Sequence, residues 1–232
     1  ILSIMNGFEE EVKSRSFGAD GHISVEIPVI KSFEQEAIIK ELSADEDLVH
    51  LFQFSEGEAI VTAEGAHTLV MVRGMDSSHQ KLIAKLNSFS RFHRFDQLDD
   101  KSFKAILGRE LLNELGLEVG DSIKLSSPKI QFTPMGYFFR SRSFEVVDEV
   151  EFKYKLLDSN IIFLSLGDSN SFFGPTNSNK MLRLHYQEGT DISEKIKSFA
   201  SKNVTVKTWK DENVALYQAL LLEKFVMFIT LM

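Results

Sequence analysis

The sequence is rich in side chains able to do chemistry, yet none stands at a spacing that a local active site or metal centre needs. The six histidines, at 22, 50, 67, 79, 93 and 185, include no pair at i,i+3 or i,i+4, the separations that put two imidazoles on one helical face for a metal. His79 and His93 fall in the region without a clear period and would need long-range partners, so they read as surface histidines. Cysteine is absent, which excludes disulfides, thiolate metal sites and a cysteine nucleophile. No Gly-Lys dipeptide occurs, so there is no Walker A loop, and GxGxxG, GxSxG and HExxH are missing too. Glu9-Glu10-Glu11 flanks an apolar helical face and reads as its solvated side, and Asp45-Glu46-Asp47 reads as a turn after a helix. Nothing here supports an enzyme, a cofactor or a metal site.

Two clusters mix arginine with aromatics, Arg91-Phe92-His93-Arg94-Phe95 and Tyr137-Phe138-Phe139-Arg140-Ser141-Arg142. Such mixtures can stack on bases. A formal net charge of −8 opposes that use, because neutralising phosphates requires a basic surface. Core aromatics with flanking surface arginines are the better account. A third segment, 144–158, alternates as a strand from Phe144 and continues through Phe152, Tyr154, Leu156 and Leu157 towards another strand at Ile161, with little polar punctuation. A protruding hairpin with apolar residues near its tip would serve as a docking element. A plain hairpin folded back on the core fits the composition as well.

The elements that must position these residues follow from periodicity. Ile23, Val25, Ile27 and Val29 alternate as a half-buried strand. Phe33, Ala37, Ile38 and Leu42 mark a helix, and Leu48–Phe54 a strand. The same order returns late in the chain, with a strand at Met181–Tyr186, a helix carrying Ile192, Ile196, Phe199 and Ala200, and a strand at Val204–Trp209. Two β-α-β units at opposite ends predict one α/β layer built from both termini. Between them, Glu58–Ala63, His67–Arg73, Ile123–Leu125, Phe144–Phe152 and Ile161–Leu166 read as strands, and Phe103, Ile106, Leu107, Leu111, Leu112 and Leu115 as a helix stopped by Gly116. Residues 76–100 carry no clear period. The fold expected is therefore α+β and bilobed: an α/β lobe from residues 1–73 and 169–215, and an inserted β-rich lobe from 74–168.

The ends carry a separate signal. Ile1, Ile4, Met5, Phe8 and Val12 recur at helical spacing, and after Lys224 every residue but Thr230 is apolar. A bilayer crossing needs about 20 residues, so residues 216–232 are read as the start of a truncated membrane helix; a buried terminal helix is the plain alternative.

Several short stretches together resemble one family. Ser3-Ile4-Met5-Asn6-Gly7-Phe8-Glu9 resembles the segment after the first membrane helix of LolC/LolE-type permeases. Leu107-Gly108-Arg109-Glu110-Leu111-Leu112 and Leu115-Gly116-Leu117-Glu118-Val119-Gly120-Asp121-Ser122-Ile123-Lys124-Leu125 resemble a pattern of MacB-like periplasmic core domains. Phe132-Thr133-Pro134-Met135-Gly136 and the strand from Phe144 resemble the lipoprotein-releasing subset, and Trp209, Asn213 and Leu222-Glu223-Lys224 the approach to the second membrane helix.

That resemblance implies a porter-like lobe with a β-rich insertion, in the extracytoplasmic part of a permease of the bacterial inner membrane. It implies a non-catalytic role in passing outer-membrane lipoproteins to a soluble LolA-like carrier, with ATP hydrolysis on a LolD-like subunit and a second permease subunit, or a second copy, alongside. A MacB-like efflux permease or an FtsX-like signalling permease are the other readings. In LolC-type members a hairpin hook and a nearby basic patch bind the carrier. On this sequence the resemblance places the hook at about Val146–Asp158, with Arg142 as the basic position and Val150, Phe152, Lys153, Tyr154, Lys155, Leu156 and Leu157 as partner-binding residues. Asp148 stands where the family's hairpin usually carries Gly.

Overall fold

A computed structural model describes residues 23–28, 32–63, 65–77, 80–133, 136–174, 180–187, 190–199 and 204–208, with isolated positions 211, 214, 218, 222 and 226. His22, His79, the opening helix and almost all of the closing apolar run lie outside the described residues. No helix among the described residues is long and apolar enough to cross a membrane.

The chain divides into two compact units, 1–51 with 181–232, and 52–180. The sequence placed the divisions near 73 and 169. They fall elsewhere because β2 (Leu48–Ala63) and β3 (Ala66–Met75) are one antiparallel pair in continuous register from Phe54↔Met75 to Ala63↔Ala66. β3 also pairs in parallel with β7 (Ile161–Ser165). These pairings commit β3, and β2 from Phe52 onward, to the second unit, whatever their distance along the chain from its other members.

In the first unit the strand order is β2-β8-β1-β9, with β1 at Ile23–Ile27, β8 at Lys180–Tyr186 and β9 at Thr205–Thr208. β1 and β9 are antiparallel, Val25 facing Val206. Helices α1 (Ser32–Ser43) and α6 (Ile192–Phe199) contribute Ile38, Ile39, Leu42, Ile192, Ile196 and Phe199 to one core with Ile23, Val25, Ile27, Leu182 and Leu184. The two β-α-β units read from the sequence thus share a layer. At the turn after α1, Lys195 Nζ donates to Asp45 Oδ1 and Oδ2 at 2.7 and 2.9 Å and pairs with Asp47 at 2.8 Å, 5.4 Å from the Tyr186 ring centre. Burial pushes the Asp45 carboxyl upward, but its hydrogen bonds with Lys195 and the Asp47 backbone outweigh this and leave it below its ordinary value. The hydrogen bonds that Lys195 donates to the two carboxylates raise its own value. Burial, then the Asp45 charge, pushes the Tyr186 phenol up to about 12.

The second unit is a six-stranded ring in the order β3-β7-β4-β6-β5-β2, closed because β2 also pairs with β3. Closure removes the edges that an open sheet would leave for aggregation. Here β4 is Lys104–Gly108, β5 Ser122–Thr133 and β6 Gly136–Val150. The interior is filled by Ala59, Val61, Val70, Val72, Leu107, Leu125, Val146 and Leu164, with Leu111, Leu112 and Leu115 of the short helix α3 (Arg109–Glu114) packed onto them. The helix expected over Phe103–Leu115 is therefore a strand up to Gly108 and a helix only after it. β4 is buried from Ala105 to Gly108, with parallel β6 on one side and antiparallel β7 on the other. A continuous apolar run cannot by itself tell a doubly buried strand from a helix.

On the Phe163 side of β7 lie a 3-10 turn at Phe95–Gln97 and the loops around it, and α2 (Gln80–Asn87) is tied to that turn where Asn87 Oδ1 accepts from Phe95 N at 3.0 Å. Phe95 and Phe152 pack on Phe163 at ring separations of 5.3 and 6.3 Å, and Phe89 on Phe152 at 5.2 Å. Four of the twenty phenylalanines meet in this layer.

Candidate functional site

Three buried carboxylates hold the loops of this layer. Asp148 accepts backbone N–H groups from Phe92 at 3.0 Å, Arg94 at 2.9 Å and its neighbour Glu149 at 2.8 Å. Asp158 accepts from Phe152 at 2.9 Å and Tyr154 at 3.2 Å, and Asp168 from Lys101 and Phe103, both at 3.1 Å. Each grips two amides two residues apart, one per oxygen. Among the described residues the non-glycine positions with positive φ are His93, Lys101, Phe103 and Lys153, all within these three grips. Left-handed backbone costs a non-glycine residue energy, but it also turns successive N–H groups toward one point, where an anion binds. The sequence hides this device, because the three aspartates join residues 54–56 and 65–67 positions away as well as near neighbours. Burial raises Asp158 above the ordinary carboxylate value, although the backbone hydrogen bonds from Phe152 and Tyr154 oppose it.

The hairpin expected at 146–158 does not form. β6 ends at Val150 and pairs with β4 and β5, while β7 pairs with β3 and β4, so β6 and β7 are not neighbours. The connection holds a one-turn helix, α4, at Lys155–Asp158. Val150 and Phe152 are 0% and 2% exposed and cannot reach a partner from the folded unit. Lys153, Tyr154, Lys155 and Leu156 are exposed and Leu157 is half-buried. Asp148 is no hairpin residue but the acceptor that secures loop 92–94.

The hairpin that the unit does build lies just upstream, between β5 and β6. Near its base β5 pairs with β2 over Lys124–Ser126, and β6 with β4 over Glu145–Val150. Beyond a bulge between Ser126 and Ile130, the pairs Ile130↔Phe139, Gln131↔Phe138, Phe132↔Tyr137 and Thr133↔Gly136 involve, among the described residues, only the hairpin's own two strands. Pro128 falls in the bulge, where a missing N–H is tolerated. Gly136 has φ 123°, a conformation that L side chains rarely adopt. Phe139 is 59% exposed. The signal was present in the sequence as Phe-Thr-Pro-Met-Gly between two apolar runs, a glycine-bearing turn of hairpin length.

At the hairpin's stem stand the two arginines. Arg140 Nη1 donates to the carbonyls of Ser171 at 2.9 Å and Phe172 at 3.3 Å, in the last turn of α5 (Leu166–Phe173). Arg142 Nη1 donates to Ser171 Oγ at 3.3 Å and its guanidinium lies 4.8 Å from the Phe103 ring centre. The structure thus brings Arg142 together with the hairpin stem, and not with Tyr154 to Leu157. No group of three or more His, Asp or Glu able to hold a metal occurs among the described residues.

No protein-family model matches the chain. It is 25% identical over 232 residues to the lipoprotein-releasing system transmembrane protein LolC of Xylella fastidiosa, across 99% of this chain and 56% of that protein. To LolC of Neisseria meningitidis it is 23% identical, across 100% of this chain and 57% of the relative. LolC of Haemophilus influenzae is 24% identical across 98% and 56%. Among solved structures, the periplasmic region of MacB from Actinobacillus actinomycetemcomitans superposes with a TM-score of 0.49 at 8% identity, over 90% of this chain and 96% of that one. The extracellular domain of the Gram-positive ABC-type transporter YknZ gives 0.44 at 10%, over 76% and 87%. The chain spans about half the length of the curated relatives it matches. End-to-end sequence likeness bears out the resemblance first read from short motifs: along its whole length this chain is similar to the LolC-type transmembrane proteins of lipoprotein-releasing systems.

Proposed function

We propose that the chain is the periplasmic part of an inner-membrane ABC-transporter permease subunit that releases outer-membrane lipoproteins and passes them to a soluble LolA-like carrier. The observation that carries this reading is the likeness to LolC proteins over the whole chain. The efflux and signalling readings would draw on fold alone, and a fold does not select an activity. The role asks for no catalytic residue here: a LolD-like ATPase subunit hydrolyses ATP, and a second permease subunit or a second copy completes the transporter. What this chain supplies is a rigid carrier-docking element.

The β5–β6 hairpin is that element in this proposal, in place of the segment at 146–158. Its outer pairs lie beyond the closed ring, Phe139 is exposed, and the basic position Arg142 stands at its stem. Apolar area buried on docking is worth roughly 25 cal/mol per Å² before association costs, so one fully covered phenylalanine matters. The test is capture of the LolA-like carrier from the same organism by the purified chain. The unsubstituted chain should retain it and Phe139→Asp should lose it, with Leu156→Asp as a control that retains it. Equal capture by the parent and Phe139→Asp removes the hairpin from the proposal. No capture by the parent removes carrier docking.

A further inference from the structure

We infer that Arg140 is a positioning residue that sets the direction of the β5–β6 hairpin by anchoring its stem to the C-terminal end of α5. The inference rests on the docking reading for its functional meaning, but its geometry stands alone. Beyond the bulge at Ser126–Ile130 the hairpin has, among the described residues, lost the lateral pairing to β2 and β4 that holds its base. A two-stranded ribbon without further support is only marginally held, and a bulge is where it bends. Arg140 lies opposite the bulge, between Ser141, which pairs with Ser126, and Phe139, which pairs with Ile130.

The anchor is built for a guanidinium. The final carbonyls of a helix lack intrahelical donors, and a cation there is favoured by the helix dipole as well. Nη1 of Arg140 satisfies two of them, those of Ser171 and Phe172. Gly174 follows at φ 91°, and a Cβ placed on it would stand 2.8 Å from Arg140 Nη1, so a side chain here would crowd the guanidinium. The other end of α5 is fixed as well: Ser165 Oγ accepts from Asp168 N at 3.0 Å and Asp100 from Gly167 N at 2.7 Å. Its helical face is held where Ser55 and Ser169 hydrogen-bond at 2.8 Å against Gly74, whose Cβ would meet both. Arg140 therefore ties a ribbon to a helix that is itself immobilised. Arg142, one register step nearer the ring on the same side of β6, grips the same turn through Ser171 Oγ and packs on Phe103, whose own amide is held by Asp168. In this arrangement the basic position is spent on aiming the hairpin.

The absence of native cysteine makes spin labelling direct. Labels at Leu69→Cys on the ring, exposed on β3, and at Phe139→Cys on the hairpin report the hairpin's direction by double electron–electron resonance. The parent pair should give one narrow distance distribution. Arg140→Met should broaden and shift it, and Arg140→Lys, which keeps a donor, should fall between. Amide exchange in β3, β4 and β7 must stay as in the parent, which separates loss of aim from loss of fold; Arg142→Met, expected to broaden the distribution less, is the second variant if Arg140→Met loosens the ring. An unchanged distribution in Arg140→Met, or one that broadens only together with faster exchange in the ring for both variants, overturns the inference. So does lost carrier capture by Arg140→Met with unchanged label distances, which would make Arg140 a contact. The docking reading fails separately, through Phe139→Asp, and leaves the distance result standing.

Discussion

Replacing Asp148 by alanine tests the clamp that holds the loop of residues 91–94. The carboxylate is 0% exposed and accepts three backbone N–H groups at 2.8 to 3.0 Å. A hydrogen bond to a charged acceptor is worth about 1.5–3 kcal/mol net, so three would suggest more than can be realised. The Phe92 and Arg94 amides lie in a surface loop that regains water once released, and His93 then leaves its positive φ, which returns part of the loss. We expect about 3–5 kcal/mol of destabilisation for Asp148→Ala, from the lower end of that range summed over the three bonds. Asp148→Asn keeps one carbonyl oxygen but turns an amide N–H against a backbone N–H, and should cost about 2 kcal/mol. For a chain of 232 residues, about 4 kcal/mol corresponds to a fall in Tm of about 10 °C. Urea unfolding gives the stability, and amide exchange at Phe92 and Arg94 locates it. If Asp148→Ala loses less than about 1 kcal/mol, or the Phe92 and Arg94 amides stay equally protected, the carboxylate is not what holds this loop.

Other outcomes follow from the same geometry. Gly108→Ala would place a Cβ 2.1 Å from the Asp158 carbonyl oxygen, a backbone atom that cannot rotate away, so it should cost about 3 kcal/mol in a denaturant melt, the upper part of the overpacking range. Asp158 is raised above its unfolded value by burial, so the stability it contributes is full below its unfolded pKa and is lost as pH rises through its folded one. Asp158→Asn should flatten that part of the stability–pH curve while weakening the grip on Phe152 and Tyr154. Asp45 is lowered, so its contribution is present above the ordinary carboxylate range and lost as pH falls through its folded pKa. Lys195 is raised, so its contribution holds below its unfolded pKa and is lost as pH rises through the folded one. Lys195→Met should therefore remove stability between these limits and change little at strongly acid pH, measured as urea midpoints across pH.

How much was legible in the sequence depends on whether the deciding contacts were local. Alternation over Ile23–Ile27 and His67–Arg73, and helical spacing in Phe33–Leu42 and Ile192–Phe199, are properties of a few consecutive residues. The elements appear where those patterns put them. The turn signal at Phe132–Gly136 is as local as any of these, whereas the apolar stretch at 152–157 reads as a hairpin and forms none. That stretch looked unpunctuated because its punctuation lies in three dimensions: Asp158 folds back to the amides of Phe152 and Tyr154, and Phe152 enters the aromatic layer under Phe89 and Phe163.

By itself, then, the amino-acid sequence determined the elements with a clear period, the mixed α/β class, the lack of a local catalytic or metal motif, and the likeness to LolC-type proteins. These depend on short-range order and on residue identity, which survive at 25% identity. Tertiary structure alone decided which strands share a sheet, and so where the units divide, that Leu107 lies in a strand and Leu111 in a helix, and that Asp148 is a clamp. It also decided that Arg140 and Arg142 face the end of α5 and not the segment at 153–157. The physical reason is common to all four. A strand's partners and a buried polar group's partners are chosen by closure of the ring and by the need to satisfy every buried N–H, and those partners lie tens of residues away.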